Sequence, residues 1–252
     1  MADNSLYSAV PPLAFKELRK RILRIAASYI GQTTYVKDGK KRYGFDDAAF
    51  ETKMKNVGWQ STQHYCNYFC RLVYKEALTT GNQYVNSTLN YPGNWEKKLG
   101  HLKNVRTWKR SDTQAFGMLD PLVENTRKDY QLVQRYINIT DYPISKWGTQ
   151  TTTSKRKGFA KNIAEASNPN QPFILPGDII TFDWDNSGRY NDHIGIYLAP
   201  ADANCNRIIT IEGNTGSGQK GSRNGCYKRI RPASDINGFG QLTVLPFNIQ
   251  KQ

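Results

Sequence analysis

The sequence predicts an α+β fold, on three observations. Segments with helical periodicity come first along the chain, segments with a period of two follow from residue 173, and the turns joining the latter are too short for parallel crossovers. Residues 12–30 carry Phe15, Leu18, Ile22, Ile25, Ala26 and Tyr29 at helical spacing with basic residues between them, and Gly31 follows as a C-terminal cap. Residues 37–44, KDGKKRYG, read as a polar turn. A second helix is expected over 63–79, with Cys66, Phe69, Cys70, Val73 and Ala77 on one face and TTGN at 79–82 as its stop.

Residues 85–150 mix Trp95, Trp108 and Trp147 with many polar side chains. Asp120-Pro121 has the form of a helix start, and the helix is expected to run through Tyr130, Val133 and Ile137. A short helix is expected at 155–166. Beyond 173, Ile180, Phe182 and Trp184 alternate, then Ile194, Ile196 and Leu198, then Ile209 and Ile211. Further strands are expected at 226–231 and 240–245. The intervening DNSGRYND, APADAN and GSGQKGSRNG are turn-forming, which makes neighbouring strands antiparallel.

The 252 residues suffice for one large domain or two small ones, and no internal repeat is visible. The chain is read as one domain over 1–252, with 85–150 as an insertion or subdomain. Hydrophobic residues at 38% are enough for a core, and no stretch approaches the roughly 20 apolar residues of a membrane helix. MADNSLYSAVPPLAF lacks a basic start and an apolar run, so no secretory signal is expected and delivery to an external substrate would need another route. The net charge of +14 favours a polyanionic partner or else a generally solvated basic surface. No nucleic-acid-binding motif accompanies it, so no specific nucleic-acid partner is expected. Four cysteines without a CxxC pair and only three histidines argue against a zinc finger or a multi-histidine zinc hydrolase. Sequence separation leaves a Cys205–Cys226 bridge open.

Cys66 lies within about a turn of its helix start, where unpaired N–H groups and the helix dipole favour a thiolate. A free cysteine is also a common core residue, and Cys70 one turn on is read as packing. On strand 192–198, Ile194, Ile196 and Leu198 should face one way, leaving His193, Gly195 and Tyr197 on the other. Gly195 should leave open space near the imidazole. In RIITIEGNT, Ile209 and Ile211 take the core face, and Glu212 or Asn214 can sit beside His193 and hold its tautomer. His64 would point away from Cys66 on a helix, and His101 has no carboxylate pattern around it.

In combination these segments resemble a known family. YCNYFC at 65–70, PGDIITF at 176–182, DHIGIY at 192–197, IEGNT at 211–215 and ASYIG at 27–31 occur in the order found in CHAP domains. These are cysteine, histidine-dependent amidohydrolases and peptidases of the NlpC-like papain-fold superfamily, and the resemblance covers about 12–80 and 155–245. It implies a papain-like fold, with N-terminal helices and the cysteine at a helix start packed on a C-terminal antiparallel sheet. It also implies a peptidoglycan hydrolase that cleaves an amide bond without metal or cofactor, as an endopeptidase or an N-acetylmuramoyl-L-alanine amidase. Carried over by residue, Cys66 is the nucleophile, His193 the base, and Glu212 and Asn214 the orienting positions. The Cys66 N–H and a side chain within 60–63 are the expected oxyanion donors. With no signal visible, a phage endolysin, a virion-associated lytic protein or a delivered effector is expected, acting on the cell wall, with anionic cell-surface polymers and virion proteins as further candidate partners. The chain departs from the family in its long 85–150 segment and in a cysteine at position 70. The rival expectation is a catalytically inactive structural or interaction protein of a virion that keeps the fold.

Overall fold

The computed structural model describes residues 13–35, 44–79, 89–90, 113–119, 130–138, 174–184, 193–203, 206–220 and 222–246. Within them the chain is α+β. Three helices, α1 (Leu13–Ser28), α2 (Ala48–Asn56) and α3 (Cys66–Thr79), accompany a short pair β1 (Thr34–Tyr35) and β2 (Gly44–Phe45). The large sheet comprises β3 (Leu89–Asn90), β4 (Thr113–Leu119), β5 (Tyr130–Asn138), β6 (Ile179–Phe182), β7 (His193–Pro200), β8 (Arg207–Thr215), β9 (Gly225–Pro232) and β10 (Ile236–Pro246). Its order is β3-β4-β5-β10-β6-β7-β8-β9, with every neighbouring pair antiparallel. The turn expected at 37–44 and the helix expected at 155–166 lie almost wholly or wholly outside the described residues, as do His101 and Cys205. No helix among the described residues is long and apolar enough to cross a membrane.

The two long helices form where periodicity placed them. In α1, Leu18, Ile22 and Ala26 are fully buried, and Gly31 follows with φ +95°, donating its N–H to the Cys226 carbonyl at 2.9 Å. In α3, Phe69, Cys70, Val73 and Ala77 share the buried face. Helix α2 was not foreseen, although Asp47 caps it, its Oδ1 accepting from the Ala49 and Phe50 N–H groups at 2.8 and 3.1 Å. Phe50 and Met54, four apart, bury its inner face. Tyr29, Phe45, Phe50, Trp59, Tyr65 and Phe69 meet edge-on or tilted and join the helices to the β1–β2 pair.

Residues 130–138 are a strand, not the end of a helix. β5 is laddered on both edges, to β10 from Tyr130↔Pro246 to Asn138↔Gly238 and to β4. Ladders on both sides outweigh a local helix signal. β3, β4 and β5 all come from the 85–150 segment and continue the sheet past β10.

The sheet is also buried on both faces. Ile179, Ile194, Ile196 and Ile211 pack against the helices, whereas Ile180, Phe182, Tyr197, Ile208 and Phe239 fill a second cluster behind them. Two alternation expectations shift accordingly. A register break between Tyr197 and Ala199 leaves Leu198 half-buried, and Ile208 is fully buried while Ile209 is only partly covered.

A buried ion pair ties the helical layer to the sheet. Arg19 of α1 donates to Asp178 Oδ1 at 2.8 Å, to the Pro176 carbonyl at 2.9 Å and to the Leu242 carbonyl. Asp178 also accepts the Leu175 and Leu242 N–H groups at 2.7 and 2.8 Å. Between them Gly177 takes φ +94°, so the turn passes close over Arg19, and its carbonyl accepts the Tyr74 hydroxyl of α3 at 2.7 Å. Burial pushes the Asp178 carboxyl upward, against the pull of Arg19 and the two N–H groups, so the pair spends much of its attraction on desolvation. Arg19→Met, which strands the carboxylate, is expected to cost about 3–5 kcal/mol in urea unfolding. Adding Asp178→Leu should restore only part of that loss, because the Leu175 and Leu242 N–H groups then lose their acceptor.

Candidate active site

Cys66 is the first residue of α3, and only 4% of its surface is exposed. It therefore stands at the end of α3 where backbone N–H groups lack intrahelical acceptors. α3 comes close to β8 because Gly213 has no side chain: a Cβ there would fall 2.5 Å from Phe69 Cβ and 3.2 Å from Tyr65. His193 is the first residue of β7, a strand flanked in the sheet by β6 and β8. The Cys66 side chain lies close enough to act on the charge of His193, and the ring's Nε2 meets Glu212 Oε2 at 2.9 Å, so Nδ1 is the ring nitrogen not engaged by Glu212. The imidazole thus bridges the thiol and a buried carboxylate.

Glu212 reaches His193 because Gly195 stands across from it. The register Ile196↔Ile211 puts Gly195 opposite Glu212, and a Cβ on Gly195 would lie 2.7 Å from Glu212 Cγ. The open space expected beside the imidazole is therefore filled by the carboxylate's own stem. Asn214 goes elsewhere. A register break between Glu212 and Thr215 gives Asn214 φ +61°, and its Nδ2 donates to His64 Nδ1 at 3.0 Å on the exposed side. Of the two orienting positions, Glu212 is thus the one on the imidazole, while Asn214 holds the histidine just before the Cys66 helix. Of the 60–63 segment, Gln63 Oε1 accepts the Gln60 N–H at 3.1 Å and its carbonyl accepts from Trp59 Nε1.

Two contributors were not singled out from sequence. Arg231 of β9 forks onto Glu212, its Nε donating to Oε1 at 2.9 Å and its NH2 to Oε2, while Thr210 Oγ1 donates to Oε1 at 2.6 Å. Trp184 lies over the imidazole with centroids 5.7 Å apart, stacks on Phe182 at 5.0 Å and carries the Arg231 guanidinium at 4.8 Å on its ring. The signal was present in the alternation Tyr227, Arg229, Arg231, which places the arginines on the Glu212 face, but it required knowing that β9 pairs with β8.

Burial opposes charge on both members of the His193–Glu212 pair, and the local contacts overcome it. Glu212 is held down to about 2 by Arg231 and His193. His193 is raised to about 9 by its hydrogen bonds to Cys66 and Glu212 and by the Glu212 charge. Burial pushes the Cys70 thiol far up, helped by the neighbouring Cys66 and Glu212, so Cys70 stays protonated and packs in the core. Cys226 is likewise a buried free thiol whose titration is raised by burial. No group of three or more His, Cys, Asp or Glu among the described residues is arranged to hold a metal.

Gly195→Ala should displace Glu212 and lower the His193 midpoint, read by NMR titration, with the fold retained. The pair's contribution to stability should also depend on pH in two limbs. Through His193 it is complete below about 6.5 and lost as pH rises through about 9. Through Glu212 it is complete above about 4.5 and lost as pH falls through about 2. Unfolding midpoints against pH should show the alkaline limb in the wild type and not in His193→Gln. No family model matches this chain and no curated protein matches it, so the chemistry of the site is read from its own geometry.

Proposed function

We propose that this protein is a cysteine-dependent amide hydrolase of the CHAP type, with a papain-like arrangement, that cleaves peptidoglycan. The observation that carries the reading is the His193 ring, held between the Cys66 side chain at a helix start and the buried Glu212 carboxylate. A thiol, an imidazole and an orienting acid in that order form a nucleophile–base relay.

In this mechanism His193 Nδ1 takes the Cys66 proton, and the sulfur attacks the amide carbonyl carbon. The tetrahedral oxyanion is met by the Cys66 N–H and a donor from 60–63. Nδ1 returns the proton to the leaving amine, the C–N bond breaks, and a thioester remains. His193 then deprotonates a water that attacks the thioester, the C–S bond breaks, and a carboxylate and the Cys66 thiol are released. Glu212 stays ionised throughout and stabilises the imidazolium.

Peptidoglycan is assigned from the ordered motifs around Cys66, Asp178, His193 and Glu212, and the +14 charge suits attraction to anionic wall polymers. A phage lysin or virion-associated lytic protein fits this combination. Digestion of purified peptidoglycan should release fragments with new amine ends, identified by mass spectrometry. Cys66→Ala and His193→Ala should each lower release by at least about 10³-fold. No release from walls of several cross-link types by folded wild type would instead favour an inactive structural protein that keeps this fold.

A further inference from the structure

Arg231 has a position that a surface salt bridge would not require. Its side chain is 16% exposed, it makes two bonds to a fully buried carboxylate, its NH2 also donates to Thr215 Oγ1 at 3.0 Å, and its guanidinium plane covers Trp184. Of the two groups it holds, Glu212 meets the imidazole at its Nε2 end and Trp184 lies on its face, where Phe182 also stacks. We infer that Arg231 is a positioning residue: by forking onto Glu212 and capping Trp184 it locks both contacts, so that the His193 ring presents Nδ1 to Cys66.

The chemistry of the fork supports this. A carboxylate held by one bond rotates about its last torsion, whereas a bidentate guanidinium fixes its plane. Thr210 and Arg231 Nε occupy Oε1, so the imidazole shares Oε2 with the Arg231 NH2 group. Trp184 is 40% exposed, and the guanidinium on its ring is one of the contacts that hold it flat over His193. Among the described residues, the charged and titratable groups that act on the imidazole are Cys66 from α3 and Glu212 from β8, with Arg231 and Arg229 from β9 acting through Glu212.

The catalytic consequence rests on the hydrolase reading, but the structural claim does not, and one experiment separates them. The full chain is compared as wild type, Arg231→Lys and Arg231→Met, with the His193 resonance assigned by its loss in His193→Gln. A nearby positive charge disfavours an imidazolium, so if Arg231 acted only as a charge, Arg231→Met would raise the His193 midpoint and Arg231→Lys would leave it unchanged. Positioning gives the opposite sign: both variants lower the midpoint, because Glu212 swings away. Peptidoglycan release should then fall by roughly a hundredfold in kcat with KM little changed, as for a misplaced catalytic group. A midpoint that is unchanged or raised in a variant with native near-UV circular dichroism overturns the inference. Should Arg231→Met fail to fold, Arg231→Lys, which keeps the charge and stem, decides it. If the wild type releases nothing from peptidoglycan, the functional reading fails while the midpoint shift still decides the role of Arg231.

Discussion

The buried Arg19–Asp178 pair is the contact through which helices and sheet become one structure. Three segments far apart in sequence (α1, the Pro176–Gly177–Asp178 turn and β10) meet on two side chains, and each side chain also takes backbone groups that would otherwise be left without partners. Charge in such a place is costly, and its value lies in geometry. An apolar contact of the same size would hold the layers together but would not set which turn of α1 faces the start of β6. Tyr74 adds α3 to the same junction through the Gly177 carbonyl. Thus the helix that bears Cys66 and the strand beside the one that bears His193 are referenced to one point.

The candidate site applies the same logic a second time. Glu212 is a fully buried carboxylate whose oxygens are taken by Arg231, Thr210 and His193. Its neighbours keep it ionised, and it in turn favours the charged imidazole. Two absent side chains make this arrangement fit: at Gly195, where the Glu212 stem crosses the strand, and at Gly213, where Phe69 and Tyr65 press on the backbone. Cys66 and Cys70 show how environment separates identical groups. One stands at the helix start against the imidazole, and the other, a turn deeper, is sealed in the core and held as a thiol.

Much of this was legible along the chain. Helical spacing located α1 and α3, and alternation located β6 to β8, because each signal is local and its period reflects one backbone geometry. The parity of DHIGIY separated His193 from Ile194 and Ile196, as the two sheet faces do. What failed was whatever depended on a partner strand. β5 is extended because β4 and β10 flank it. Ile208 is buried because a second cluster covers the back of the sheet, and a bulge, not the alternation, decides where Asn214 points.

By itself the sequence determined the α+β class, a helix starting within about a turn of Cys66, a strand over 192–198 that bears His193 and the candidacy of Glu212 and Asn214, all of which follow from short-range periodicity and turn chemistry. Tertiary structure alone decided that Glu212 rather than Asn214 lies on the imidazole, that Gly195 is occupied space, and that Arg231 and Trp184 belong to the site. The physical reason is register. Which side chains converge on one buried carboxylate depends on how β7, β8 and β9 slide past one another and where they bulge, and no single strand's sequence contains that information.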